Sequence, residues 1–384
     1  MRLAIVASHP IQYQAPLFRE LSKRLDLDVF FALDPTPEDQ GRAGFGAGFS
    51  WDVDLVSGYR HQFLKNVATR PGISFAGADT PEVGPLLRNG HYDAVLVLGF
   101  YLKTFLQAAW ACKRAGVPVM VRGDNHLLEP RSRAKQMIKR VVYPVALRTF
   151  DAALYVGQRS RDYFQHYAYP QDRLFFVPHG LDEEAFAAEA SPDARARARA
   201  ELGISQEAKV ALFVGKFLAR KRAEDLLRAS AIALQEGRDV QVLLAGSGPL
   251  EDDLKALART LGVVAHFAGF QNQSRMPSIY AASDLMVLPS DNESWGLVAN
   301  EALACGKPIL LSDAVGAAPD LAQDGMAGGV FPVGDYGALA RQMMTLLAYP
   351  PPARDIARRS AEYSTAAAIK GLEQACAFVA RRGS

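Results

Sequence analysis

Two carboxylates stand eight residues apart in the run Glu293-Ser294-Trp295-Gly296-Leu297-Val298-Ala299-Asn300-Glu301. One carboxylate can accept hydrogen bonds from two adjacent hydroxyls, so such a pair suits a long polyhydroxy ligand read at two points. Were the run helical throughout, the two would lie about 12 Å apart along the axis and about 80° apart around it. The stretch before it, Asp284 to Ser290, reads as a buried strand, and Gly296 leads into a helical segment from Leu297 to Cys305. A strand that turns tightly into a helix aims backbone N–H groups above its sheet, where they favour a phosphate. Taken alone, the same spacing also fits a loop acid followed by a solvated helix acid.

Upstream, the apolar run Ala211 to Val214 stops at Gly215 and presents Lys216 and Lys221 before a helical pattern begins near Glu224. Two ammonium groups at a strand–helix turn can hold a diphosphate and neutralise the charge that builds as it leaves. A second strand, Val240 to Ala245, ends in the turn Gly246-Ser247-Gly248-Pro249.

In this order the pieces resemble the nucleotide-binding half of the GT-B glycosyltransferases, specifically the retaining family 4 type. There a Gly-Arg/Lys turn, a second lysine five residues on, a G-x-G-P turn and an E-x7-E run recur together. The match covers roughly residues 205–335, including the strand Pro308 to Leu311 and the turn Ser312-Asp313 leading to Gly316. By that resemblance Lys216 and Lys221 bind the donor diphosphate, Glu293 the hydroxyls of the transferred sugar, and Glu301 the ribose. Gly215, Gly246, Gly248, Ser294, Trp295, Gly296 and Leu297 complete the implied donor site. Lys216 stands where the family more often has arginine, and Trp295 where phenylalanine is commoner. The lysine keeps the charge and loses the bidentate fork.

The elements that must position these residues are legible along the whole chain. Strand-like runs at Leu3–Ala7, Leu27–Ala32, Ala94–Leu98, Val117–Arg122, Ala152–Val156 and Leu174–Val177 alternate with helical patterns. Alternation of this kind implies an α/β fold with parallel sheets, ligands sitting at the carboxyl ends of the strands. The resemblance makes this the GT-B class: two Rossmann-like doubly wound domains facing each other across a cleft. The expected division is residues 1–180, acceptor-binding, then 181–350, nucleotide-sugar-binding, then 351–384, helices returning to the first domain. The segment from Pro178 to Asp182 marks the hinge, where His179 replaces the family's asparagine. After it, Ser191 is a plausible N-cap with Pro192 at the first helical position.

Loops at strand ends in the first half supply further candidates. His9-Pro10-Ile11-Gln12-Tyr13 departs from the Gly-Gly turn frequent in family 4 and is similar to an H-P-I-Q-Y subgroup. His9, Gln12, Tyr13 and Asp124 are the acceptor-side candidates. His126 lies where many members place a histidine near the reactive carbon of the sugar, which makes it a catalytic candidate beside Glu293, Lys216 and Lys221. The glycine-rich stretch Gly41 to Gly48 does not sit between a strand and a helix, so a loop is expected there.

Composition sets outer limits. With 384 residues, 49% of them hydrophobic, the chain can build two or three cored domains. Its three cysteines are far apart, without a C-x-x-C, which argues for a reducing compartment and against a disulfide framework or structural zinc. The opening residues lack the apolar region of a signal peptide, and no apolar run is long enough to span a bilayer. A cytoplasmic protein is expected, attached at most to the inner face of a membrane.

Net charge is +2, unevenly spread: residues 1–180 hold 22 Lys/Arg against 16 Asp/Glu. The surplus gathers at Arg131–Arg148, where Met137, Ile138, Val141, Val142 and Tyr143 give a helix one apolar and one basic side, with Pro144 near its end. Such a helix either packs on a core with its basic side solvated, or lies on anionic lipid, or holds an anionic acceptor. No nucleic-acid-binding module is evident.

The function these features imply is a retaining, metal-independent glycosyltransferase, moving a sugar from a nucleotide diphosphate sugar to a hydroxyl acceptor. From the family, that acceptor would be a polysaccharide, a lipid-linked oligosaccharide or a small molecule. Neither cofactor nor metal is expected. Asp26-Leu27-Asp28 and Asp52-Val53-Asp54 spell the D-x-D of metal-dependent transferases, but Lys216 and Lys221 can do a cation's electrostatic task. A nucleotide-sugar epimerase or hydrolase of the same architecture would share the donor residues. A nicotinamide oxidoreductase is disfavoured, because the first strand–helix turn, Ala7 to Tyr13, contains no glycine.

Overall fold

The structure, a computed structural model, describes residues 1–37, 49–129, 132–188 and 191–383. The Gly41–Gly48 stretch, Arg131 and the Glu189-Ala190 pair lie outside those residues. The chain divides into two compact units, one of residues 1–35, 54–181 and 364–384, the other of residues 36–53 and 182–363.

The first unit holds seven strands: β1 (Arg2–Ala7), β2 (Asp26–Phe31), β3 (Arg60–Phe63), β4 (Ala94–Val97), β5 (Val119–Gly123), β6 (Ala152–Tyr155) and β7 (Leu174–Phe176). They form one parallel sheet in the order β3-β2-β1-β4-β5-β6-β7. Because side chains alternate along a strand, β1 feeds both layers beside it. Ala4 and Val6 join a core completed by helices Val83–Asn89, Lys103–Ala115 and Gln158–His166. Leu3, Ile5 and Ala7 join the opposite core, with Leu17, Phe18 and Leu21 of helix Ala15–Ser22. That second layer also needs Ala368, Ile369, Leu372, Ala375, Cys376 and Val379, which come from helix Thr365–Gly383.

The second unit holds β8 (Lys209–Val214), β9 (Val240–Ala245), β10 (Ala265–Gly269), β11 (Leu285–Leu288), β12 (Ile309–Ser312) and β13 (Gly328–Phe331). Its parallel sheet runs β10-β9-β8-β11-β12-β13. Helices Ala223–Gln235, Glu251–Leu261 and Tyr336–Ala348 cover one face with Leu226, Leu254 and Met343. Helix Pro192–Leu202 opens as its sequence indicates: the Ser191 hydroxyl accepts from the Ala194 N–H at 3.2 Å, with Pro192 in the first turn.

In both sheets the winding direction reverses once, between β1 and β4 and between β8 and β11. Doubly wound sheets bind ligands outside the carboxyl ends of the strands at that reversal. The topology therefore singles out the residues after β8 and β11 in one unit, and after β1, β4 and β5 in the other.

Several elements lack a counterpart in the sequence reading, among them strand β3 and helix Val83–Asn89. Strand β3 has four exposed residues and no alternation, and helix Val83–Asn89 is only seven residues long. After Pro350 the chain splits: helix Ala353–Glu362 falls in the second unit and helix Thr365–Gly383 in the first. The latter helix meets β7 at Gly371, where an added Cβ would stand 1.8 Å from the Phe176 carbonyl oxygen. Gly371→Ala should therefore destabilise the protein by about 1–3 kcal/mol. Urea unfolding of both proteins, with the midpoint shifting and the slope unchanged, checks this.

Candidate active site

The turn after β8 is set by backbone packing. Gly215 has φ +153°, and an added Cβ on Gly246 would lie 1.9 Å from the Gly215 carbonyl oxygen. A Cβ on Gly248 would lie 2.7 Å from the carbonyl oxygen of Phe217. The turns after β8 and β9 thus touch main chain to main chain, and the Phe217 N–H donates to the Ser247 carbonyl at 2.9 Å. Phe217 is buried beneath, between Phe213 and Phe267. Lys216 and, one 3-10 turn later, Lys221 are held on this frame. The chain then leaves through Arg222 at φ +52°, whose guanidinium pairs with Asp225 at 2.7 Å.

The turn after β11 is clamped in the same way. The Gly316 N–H donates to the Glu293 carbonyl at 2.9 Å, and the Ala317 N–H to the Trp295 carbonyl at 2.9 Å. A Cβ on Gly316 would strike the Ser294 carbonyl oxygen at 1.8 Å. Gly296 takes φ +100° and opens helix Leu297–Ala304, whose first turn has no side-chain cap. Glu293 lies before the helix, not on it, so the all-helical geometry considered for the Glu293–Glu301 run does not hold. The two acids are brought to different neighbours instead.

Glu293 forms an ion pair with Lys221, both side chains being mostly buried. The two loops meet again where the Asp291 N–H donates to the Arg220 carbonyl at 2.9 Å. Glu301, on the helix, accepts from the Tyr280 hydroxyl at 2.7 Å. Burial pushes the Glu301 carboxyl up to about 7. Lys216 is pushed below its ordinary value, first by burial and then by the positive charges of Arg220 and Lys221, with Glu293 opposing. An anion placed beside Lys216 would relieve both penalties.

Ser294 is exposed and Leu297 half-buried. Trp295 points into the unit: it is 4% exposed, donates from Nε1 to Asn300 Oδ1 at 2.8 Å, and lies 5.9 Å from the Tyr363 ring. Its side chain anchors the loop from below. Tyr280 and Arg220 were not picked out from sequence. Tyr280 lies within the apolar helix Met276–Ala282, where nothing distinguishes a residue that will hold a carboxylate.

In the first unit a second polar group gathers at the carboxyl ends of β1 and β5. Arg122, the penultimate residue of β5, is buried and donates to the carbonyls of Val177 at 3.1 Å and Pro178 at 2.8 Å. Its Nη2 lies 3.2 Å from His179 Nδ1, and His179 Nε2 lies 3.9 Å from Asp124. Tyr13 packs edge-on against the His179 ring at 5.1 Å. Burial and the Arg122 charge lower His179 to about 4, leaving it neutral near pH 7. Asp124 stays below its ordinary value: burial raises it, but His179 and Arg122 outweigh that. Burial lowers His9, whose Nδ1 lies 3.0 Å from the Ser8 hydroxyl. Gln12 is half-buried in the turn after β1, and His126 is buried in the loop after β5.

The D-x-D spellings are occupied by ion pairs and turns. Asp26 and Asp28 pair with Arg60 and Arg2, while Asp54 accepts from the N–H groups of Val56 and Ser57. Among the described residues, no three His, Cys, Asp or Glu side chains cluster as a metal would need. A cavity of about 720 Å³ lies elsewhere, against Arg2, Asp28, Arg60 and Tyr92. The ion pairs of Asp28 with Arg2 and Arg60 use its charges.

Comparison with known proteins agrees with this fold. Residues 194–363 match the family model of the glycosyl transferases group 1. A D-inositol 3-phosphate glycosyltransferase of Actinosynnema mirum is 33% identical over 266 residues, 62% of this chain and 60% of that protein. Another, from Mycobacterium sp. (strain KMS), is 38% identical over 187 residues, 47% of this chain and 40% of that protein. The chain thus spans less than two thirds of the length of these curated relatives. Among solved structures, Anabaena Alr3699/HepE in complex with UDP superposes with a TM-score of 0.74 at 19% identity, covering 98% of this chain and 100% of that one. WaaG, a glycosyltransferase involved in lipopolysaccharide biosynthesis, does so at 0.65 with 17% identity, covering 98% and 99%. At such identities the likeness establishes the fold. Residues 194–363 therefore form a glycosyl transferases group 1 domain, and the two doubly wound sheets have the GT-B fold.

Proposed function

We propose that this protein transfers a sugar from a nucleotide diphosphate sugar to a hydroxyl acceptor, with retention of anomeric configuration and without a metal. One observation carries the reading: at the β8–β11 reversal, Lys216 sits among cations while Lys221 and Glu293 hold each other. A diphosphate is the ligand that such a cluster suits. Bound there, it compensates Lys216 and competes for Lys221, which turns the Glu293 carboxylate toward sugar hydroxyls. The uncapped first turn of helix Leu297–Ala304 adds N–H donors for the same phosphates. Glu301 reads the ribose.

In the transfer, the bond from the anomeric carbon to the phosphate oxygen breaks and its electron pair leaves with the diphosphate. Lys216 and Lys221 stabilise that charge. The acceptor oxygen bonds to the same face of the carbon, and its proton passes to the departing phosphate. His9, Gln12, Tyr13, Asp124 and His126 are the proposed acceptor-side group, with His126 serving the reactive carbon. Alr3699/HepE has been solved with UDP and with UDP-glucose, so UDP-sugars are the first donors to try.

Thermal unfolding against a panel of UDP-, GDP- and dTDP-sugars tests donor binding. The correct donor, well above its dissociation constant, should stabilise the protein by roughly 3 kcal/mol. Lys216→Ala should weaken its binding about tenfold or more. No stabilisation by any nucleotide sugar would overturn the proposal.

Glu293→Ala should keep the fold and lose at least about 100-fold in transfer, measured with EDTA present as radiolabelled product. Activity that EDTA abolishes in the wild-type protein would contradict the metal-free reading.

Donor affinity should also follow pH. Glu301 carries a proton below about 7 and loses it above, and the carboxylate is the better acceptor for ribose hydroxyls. Affinity for the donor sugar should therefore rise as pH increases through about 7, and Glu301→Gln should flatten that rise. Titration calorimetry with the intact nucleotide sugar keeps a free terminal phosphate from titrating in the same window.

A further inference from the structure

Helix Arg133–Ala146 rests on its unit with the apolar side outward. None of its residues is buried. Contact comes from Tyr143, which meets the rings of Phe100 and Tyr167 at 5.9 and 5.0 Å, and from Lys139, which lies over the Tyr143 and Tyr163 rings. These two residues stand two positions either side of Val141, each about 160° round the axis from it. The outward side carries Met137, Ile138, Val141, Val142 and Val145, which are 71, 63, 76, 49 and 75% exposed. Leu127 and Leu128, just before the helix, are exposed as well. A helix packed for its own domain turns such a stripe inward. The reading in which the apolar side packs on a core and the basic side is solvated is therefore corrected here.

Charge says what covers the stripe. Arg133 and Arg140 border it on one edge and Lys135 on the other, all exposed. From Pro130 to Phe150 the sequence has six Lys/Arg and no Asp/Glu, Arg131 lying outside the described residues. A second copy meeting this helix face to face would bring like charges together. An anionic lipid surface meets both demands at once, taking the side chains between its headgroups and the cations at its phosphates. We propose that this face docks on an anionic bilayer. The contact lies along the surface: among the described residues no helix is long and apolar enough to cross a membrane. This inference goes beyond the donor chemistry and stands or falls separately.

Co-sedimentation of the full chain tests it, using vesicles of phosphatidylcholine alone or mixed with phosphatidylglycerol. Binding is expected only to the mixed vesicles and should weaken as salt rises. The Ile138→Ser/Val141→Ser/Val145→Ser variant should bind about tenfold or more weakly, and Lys135→Gln/Arg140→Gln should reduce both binding and its salt dependence. Because these side chains are exposed, unfolding midpoints and stabilisation by nucleotide sugar should match wild type, which separates a lost surface from a lost fold. Failure of the wild type to sediment with mixed vesicles would overturn the proposal. So would undiminished binding by the stripe variant, or a concentration-dependent dimer that the same substitutions dissolve while vesicle binding is absent.

Discussion

The candidate site depends on a steric constraint: at three places the main chain passes so close to main chain that a Cβ cannot fit. Gly246 against Gly215, Gly248 against Phe217, and Gly316 against Ser294 fix the turns after β8, β9 and β11. Lysine and glutamate side chains are long and flexible, and an exposed pair spends much of its time apart. Here the loops that carry Lys221 and Glu293 are each pinned by backbone contacts, so the two charges have few other places to go. Rigid positioning of polar groups by the scaffold lets them act on a ligand without first being ordered by it.

Electrostatics then gives the frame its preference. Three cations, Lys216, Arg220 and Lys221, crowd one turn, and Lys221 forms an ion pair with Glu293. The crowding shows in Lys216, whose charged form is disfavoured by burial and by its neighbours. In the other unit the arrangement is the reverse. Arg122 spends its donors on backbone carbonyls, and His179 stays neutral beside an ionised Asp124. One site suits a polyanion, while the other offers neutral and negative groups that suit hydroxyls.

Much of this could be read from sequence because it rests on local rules. Buried parallel strands appear as short apolar runs, and the reversals of a doubly wound sheet place ligand groups just after them. Lys216, Lys221 and Glu293 all sit at such ends. What could not be read depends on tertiary contact. Strand β3 is exposed at a sheet edge, so its residues carry no buried pattern. Trp295 stands in a polar run, yet its ring goes inward, because Asn300 and Tyr363 are there to receive it. Tyr280 becomes a carboxylate partner only because helices Met276–Ala282 and Leu297–Ala304, on either side of strand β11, are brought together. Helix Arg133–Ala146 showed its two sides in sequence, but which side faces its own unit is decided by Tyr143 finding Phe100 and Tyr167.

Helix Thr365–Gly383 also constrains how the protein is made. The layer formed by Leu3, Ile5, Leu17 and Phe18 is completed by residues near the other end of the chain. During synthesis the second unit has all its residues before that helix emerges from the ribosome, whereas the first unit waits with an apolar sheet face uncovered. Nascent chains in that condition invite aggregation or chaperone capture. The sheet that holds strand Arg2–Ala7 is, in this protein, among the last to be sealed.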